Sequence, residues 1–256
     1  MTNREIITAI EAVCPPECQE SWDNSGWQVG SPGADCTGAL LCVDVTEAIL
    51  DEAVAKGCNL VIAHHPLLFR ATRQLTGRNR VERCVAKAFE RGISVYSAHT
   101  SCDCAVKGVS IEMAGRLGLQ DVEPLMPDGL GAIGNLAEPK PWKDFLNGVK
   151  STFGVAALRH SIPPAADYVI SRVALCGGAG GDLLPDAADK GADVLVTADC
   201  KLNFFLDDTD RIMLVDAGHF ETEQCTKDIF YRAVTEKFPN FAVWKSNVER
   251  NPVEFF

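Results

Sequence analysis

The sequence predicts an α/β fold of two lobes, each a sheet flanked by helices. Two observations carry the α/β reading. Apolar runs of strand length alternate with amphipathic runs of helix length along the chain, the pattern of parallel strands with helices on both faces. Runs such as Leu60-Val61-Ile62-Ala63 are apolar throughout, as a core strand of such a sheet should be. A third observation divides the chain: the segment 119–134, rich in Pro and Gly, breaks the periodicity and is the natural lobe boundary.

Taken in order, the helical stretches fall at 4–13, 47–56, 81–91, 110–117, 142–152, 182–190 and 221–238. Thr2 and Asn3 precede the first and Thr46 the second, residues whose short side chains cap free N–H groups at a helix start. Strands are expected at 39–44, 59–63, 94–98, 132–136, 155–159, 169–176, 193–197, 212–216 and 241–246. The first lobe then comprises 1–121 with 211–256, the second 130–210, and 122–129 is the linker. In this reading the last strand–helix–strand unit returns to the first lobe.

The chain has 256 residues, 46% hydrophobic and 23% charged, enough for a sizeable core. A net charge of −11 and the lack of a Lys/Arg stripe argue against a protein that grips nucleic-acid backbone. One local basic cluster, Arg70, Arg73, Arg78, Arg80 and Arg83, is either a receiver for an anionic substrate or a solvated loop and helix start. The N-terminus lacks a signal-peptide core and no apolar run spans a bilayer, so the expected location is the cytoplasm. The eleven cysteines read as reduced small hydrophobes; Cys14/Cys18 and Cys102/Cys104 lack the paired spacing of structural zinc.

Chemistry concentrates in the five histidines. His64, His65, His99 and His219 stand at or just after the carboxyl ends of expected strands, where ligand sites of α/β sheets collect; His160 stands apart from that pattern. Successive strand residues point to opposite faces, so His64 and His65 share a site only if the chain turns, and Pro66 supplies a break. Asp103 follows His99 by four residues, and Glu223 follows His219 by four, one helix face. Imidazoles and carboxylates in mixture suit Zn, Mn, Fe, Co or Ni. Five donors, His64, His65, Asp103, His219 and Glu223, exceed one tetrahedral site and fit two divalent ions per chain with a bridging carboxylate. His99 is then a catalytic proton carrier or ligand-orienting group, or else a hydrogen-bonded histidine at a strand end.

Further along these lines the chain resembles a known family. Trp22-Asp23-Asn24-Ser25-Gly26-Trp27, Ala63-His64-His65-Pro66-Leu67, Ser97-Ala98-His99-Thr100 with Asp103, Cys176-Gly177-Gly178-Ala179-Gly180-Gly181 and Gly218-His219-Phe220-Glu221-Thr222-Glu223 fall in the order of the NIF-three-like family, also known as GTP cyclohydrolase I type 2. The resemblance implies metal-ligand roles for His64, His65, Asp103, His219 and Glu223, a dinuclear metal site in the cleft between the lobes, and a ring-shaped homohexamer whose lumen the centres face. It also implies a small-molecule or nucleotide substrate, with GTP ring-opening as the reaction. One block departs: Thr197-Ala198-Asp199-Cys200-Lys201-Leu202-Asn203 has Asn203 where the family has histidine. A metal-binding or metal-delivery protein without turnover is the second expectation.

Three other features each admit two readings. Gly177 to Gly181 reads as a tight strand-to-helix turn, with phosphate binding as the lesser reading. Trp22, Asp23 and Asn24 either line a substrate cleft, the tryptophan stacking on a base, or plug and cap a turn. Asp199 and Lys201 either reach substrate or form a solvated ion pair.

Overall fold

The computed structural model describes residues 1–208 and 210–256. The chain runs through α1 (Asn3–Glu11), β1 (Gly26–Val29), β2 (Ala39–Cys42), α2 (Glu47–Ala55), β3 (Leu60–Ala63), α3 (Arg80–Glu90), β4 (Ser94–Ser97) and α4 (Thr100–Asp103). It continues through α5 (Val109–Leu117), β5 (Gln120–Pro124), β6 (Ala132–Pro141), α6 (Trp142–Phe153), β7 (Arg159–His160), β8 (Val169–Ala179) and α7 (Leu184–Asp189). It ends with β9 (Val194–Ala198), β10 (Met213–Asp216), α8 (His219–Glu223), α9 (Thr226–Lys237) and β11 (Val243–Lys245).

Local chemistry explains the starts of the longer helices. Thr2 and Glu5 form a reciprocal capping box on α1, Thr46 Oγ1 accepts the Ile49 N–H at 3.3 Å, and Asn79 Oδ1 accepts the Glu82 N–H at 2.9 Å. Each bond satisfies an N–H that the first helical turn leaves over.

The chain forms two compact units, Met1–Ala105 with Thr226–Arg250, and Val106–Cys225 with Asn251–Phe256. The first holds a sheet in the order β1-β4-β3-β2-β11, parallel except for β1. Leu40, Val61 and Val95 are fully buried in its core; each such side chain contributes roughly 1.5–3 kcal/mol by leaving water. The second holds a mixed sheet, β5-β6-β8-β9-β10-β7, in which β8, β9 and β10 are parallel. Ala174, Leu195 and Leu214 are its fully buried centre.

The α/β class stands, while the lobe boundaries differ from expectation. The division falls at Ala105. The segment 122–129 is not a linker, because β5 pairs antiparallel with β6. The run from Arg211 does not return to the first unit before Thr226: β10 pairs with β9, Met213 opposite Val194 through Asp216 opposite Thr197. Within elements, the expected strand 155–159 pairs only at Arg159 and His160, and the expected helix 221–238 is two helices, α8 and α9. No helix among the described residues is long and apolar enough to cross a membrane.

Candidate metal centre

In the first unit the register brings three strand ends side by side: Cys42 of β2 lies opposite Ala63 of β3, and Ala63 opposite Ser97 of β4. Whatever follows these strands emerges at one edge. The β3 backbone keeps pairing for two more residues, His64 N–H to the Cys42 carbonyl at 3.1 Å and His65 N–H to Val43 at 2.9 Å. The chain bends there, and the two imidazoles come together with ring centroids 4.9 Å apart. A straight strand would send them to opposite faces. His99, just past β4, brings its ring within 5.3 Å of His64 and 5.5 Å of His65. One ring nitrogen from each of the three lies within 4.8 Å of the others, close enough to share an ion.

Each ring is held by its Nδ1. Fully buried His64 sets Nδ1 2.9 Å from the Ala98 carbonyl, His65 sets Nδ1 3.2 Å from Asp44 Oδ1, and His99 sets Nδ1 2.8 Å from Asp23 Oδ1. A carbonyl or carboxylate oxygen only accepts, so the neutral ring carries its proton on Nδ1 and its lone pair on Nε2. That is the tautomer in which a histidine binds metal while a neighbouring oxygen fixes its orientation. His64 Nε2 lies 3.7 Å from Asp103 Oδ1, at the end of α4.

Asp23 is built into this arrangement. Its buried carboxylate accepts from His99 Nδ1, from Thr100 N–H at 3.1 Å and Oγ1 at 2.6 Å, and from Ser25 Oγ at 2.7 Å. Burial pushes its pKa up, but the hydrogen bonds from His99, Thr100 and Ser25 outweigh burial and hold it well below the usual carboxylate range. Asn24 Nδ2 donates to the Leu68 carbonyl at 2.9 Å, tying its segment to the loop after His65. Asp23 and Asn24 are thus engaged within the protein. Trp22 and Asn24 are exposed, the tryptophan at 60%, with its ring 6.1 Å from both Phe69 and His99.

The second unit repeats the device. β8, β9 and β10 end together, Thr197 opposite Asp216 and Ala198 opposite Ala179. His219 opens α8 directly after Gly218, its Nδ1 2.8 Å from Asp199 Oδ2 and its Nε2 3.0 Å from Glu223 Oε2. Asp199 adopts φ 52°, a left-handed conformation that Asp tolerates better than most residues. The glycine run explains itself here. β8 runs into it as far as Ala179, and a Cβ on Gly178 would lie 2.2 Å from Glu223 Oε1 and 3.1 Å from His219 Nε2. The glycines let backbone pass against these side chains, and the Gly178 N–H is engaged by Thr222 Oγ1 at 3.1 Å.

Lys201 and Asn203 are exposed in and beside the turn that follows Asp199, and His160 sits on β7 with its Nδ1 2.8 Å from the Ser161 carbonyl. Asp44 is the residue that sequence reasoning missed. An acidic residue two past a parallel strand was the available signal, and its neighbour in space, His65, lies 21 positions away. Neutral imidazoles of fixed tautomer together with buried carboxylates form a donor set that fits divalent transition metals, and several of these His, Asp and Glu groups could hold an ion.

The Duf34/NIF3 (NGG1p interacting factor 3) family model matches residues 1–252. A Lactococcus lactis protein named GTP cyclohydrolase 1 type 2 homolog is 34% identical over 259 residues, covering 97% of each chain. A Nostoc protein of the same name is 35% identical over 227 residues, covering 86% of each. Among solved structures, a Bacillus cereus protein related to NIF3 superposes with TM-score 0.93 at 23% identity, over 100% of this chain and 99% of that one. HcgD of Methanocaldococcus jannaschii does so with TM-score 0.82 at 23% identity, over 96% and 98%. The fold is therefore that of NIF3-related proteins, and the chain belongs to the Duf34/NIF3 family.

Proposed function

We propose that His64, His65, Asp103, His219 and Glu223 bind two divalent ions per chain, and that the loaded protein hydrolytically opens the ring of a purine nucleotide. One observation carries the reading: His64, His65 and His219 each have Nδ1 turned to a carbonyl or carboxylate oxygen, which leaves Nε2 to serve as a metal ligand. The name GTP cyclohydrolase 1 type 2 homolog, borne by relatives at 34% and 35% identity, supports the reaction class.

Divalent metal, when bound, supplies Lewis acidity that polarises an electrophile and activates water at neutral pH. His99 carries protons at Nε2, because Asp23 fixes the ring through Nδ1 and stays ionised across the physiological range. Trp22 and Phe69, both exposed beside His99, give a flat base an apolar surface to lie against. Zinc, manganese, iron, cobalt and nickel all suit the donor set.

A metal-binding protein without turnover is the second reading, favoured by Asn203 standing where the family pattern has histidine. Incubating metal-loaded protein with GTP separates the two. Release of formate with a dihydroneopterin triphosphate-type product supports the hydrolase; tightly bound metal with GTP unchanged supports the second reading. All eleven cysteines are free thiols, which supports a reducing cytoplasmic setting. The proposed assembly is a homohexamer, read by light scattering as six times the 27.6 kDa chain mass.

A further inference from the structure

The chain carries a net charge of −11, yet the eleven residues from Arg70 to Arg80 include four arginines and no acid. The four arginines line an open cavity of about 700 Å³ in the first unit that begins at Pro66, the residue after His65. That volume is in the usual range for small-molecule sites. Phe69 lies on the same wall, 50% exposed, with its ring 6.0 Å from His99 and 6.1 Å from Trp22.

The one carboxylate lining the cavity, Glu82, is turned inward. It accepts from the Thr76 N–H and Oγ1, both at 2.9 Å, from the Arg78 N–H at 3.1 Å and from Asn79 Nδ2 at 2.9 Å. Those bonds hold the Glu82 pKa below its ordinary value and brace the loop that displays the arginines. Arg80 is fixed on the Val45 carbonyl and Arg78 on Gln74. Arg70 and Arg73 are exposed and form no ion pair among the described residues. Guanidinium groups match phosphate oxygens in pairs, and a concave site of one charge concentrates ligands of the other. On an acidic protein such a pocket favours a polyanion over the surrounding surface.

We propose that the loop between β3 and α3 is a phosphate-binding site. Arg70 and Arg73 grip the phosphate chain of a ligand whose flat aromatic end lies against Phe69 and Trp22, beside His99. The anion site stands on the arginine cavity alone; the claim that its ligand is also the reacting substrate rests on the metal-dependent reading above.

The test is calorimetric titration of tripolyphosphate, GTP and guanosine into metal-loaded and chelator-stripped protein, for the wild type and the Arg70→Ala/Arg73→Ala double variant. Both side chains are exposed, so the variant keeps its fold, and circular dichroism with metal analysis verifies it. The expected result is tripolyphosphate binding to stripped wild type, GTP bound more tightly than guanosine, and a loss of about tenfold or more for both phosphates in the variant at unchanged metal content. Equal tripolyphosphate affinity in variant and wild type overturns the proposal, as does GTP bound no more tightly than guanosine. Wild-type protein that binds tripolyphosphate but takes up no metal defeats the metal reading and leaves the anion site standing.

Discussion

At the scale of single residues, the site is a set of imidazoles whose protons have been placed in advance. Ala98, Asp23 and Asp199 each accept from an Nδ1–H, on His64, His99 and His219 in turn, and Asp44 Oδ1 stands 3.2 Å from His65 Nδ1. Removing the charge of such a partner without changing its shape should weaken metal binding by about 10–100-fold. Asp44→Asn and Asp199→Asn are the variants of choice, because Asn also tolerates the positive φ of Asp199. Competition titration against a chelator reads the effect, and unchanged affinity in both would show the carboxylates to be bystanders. Gly178→Ala should fail differently. The added Cβ meets the Glu223 carboxylate at a φ of +62°, so about 1–2 kcal/mol of backbone strain joins a displaced ligand. Thermal unfolding should fall by several degrees together with metal content; a fully stable, fully loaded variant would contradict the close-approach role. The i,i+4 spacing of His219 and Glu223 was legible in the sequence because it is local. Asp23 on His99 was not, since that contact joins residues 76 positions apart through the sheet.

At the scale of elements, parallel strands of equal register deliver the donors to a shared edge. Apolar runs made β2 and β3 legible, a Val-Tyr centre marked β4, and amphipathic periodicity marked α2 and α3, with Thr46 capping α2. β1 was missed because its four residues carry polar Gln28 and a register shift against β4. The break between α8 and α9 was missed because no Gly or Pro marks Gln224 and Cys225. α2 carries a pH signature. Glu52 accepts from Ser246 Oγ at 2.5 Å and from the Asn247 N–H at 3.0 Å, locking the helix to the end of β11. Burial raises its pKa, and these hydrogen bonds, with Lys56 nearby, lower it further than burial raises it. A carboxylate with a lowered folded-state pKa contributes stability that is complete above its unfolded value, about 4.3, and is lost as pH falls through the folded value. Denaturant titrations from pH 7 down to pH 3 should therefore show a shallower acid loss for Glu52→Gln than for the wild type. Identical slopes would remove Glu52 from the acid response.

At the scale of the whole molecule, two units of different topology end their parallel strands in the same kind of chemistry. The sequence pattern revealed two lobes but misjudged their border, because β10 looks like any other apolar strand until its partner β9 is known. The correction moves His219 and Glu223 into the second unit and leaves His64, His65, His99 and Asp103 in the first. The most direct measurement is elemental analysis of protein purified from metal-replete cells, beside Asp103→Ala and Glu223→Ala. The account predicts two divalent ions per chain in the wild type and most of that metal lost in either variant; wild-type protein that carries none contradicts it.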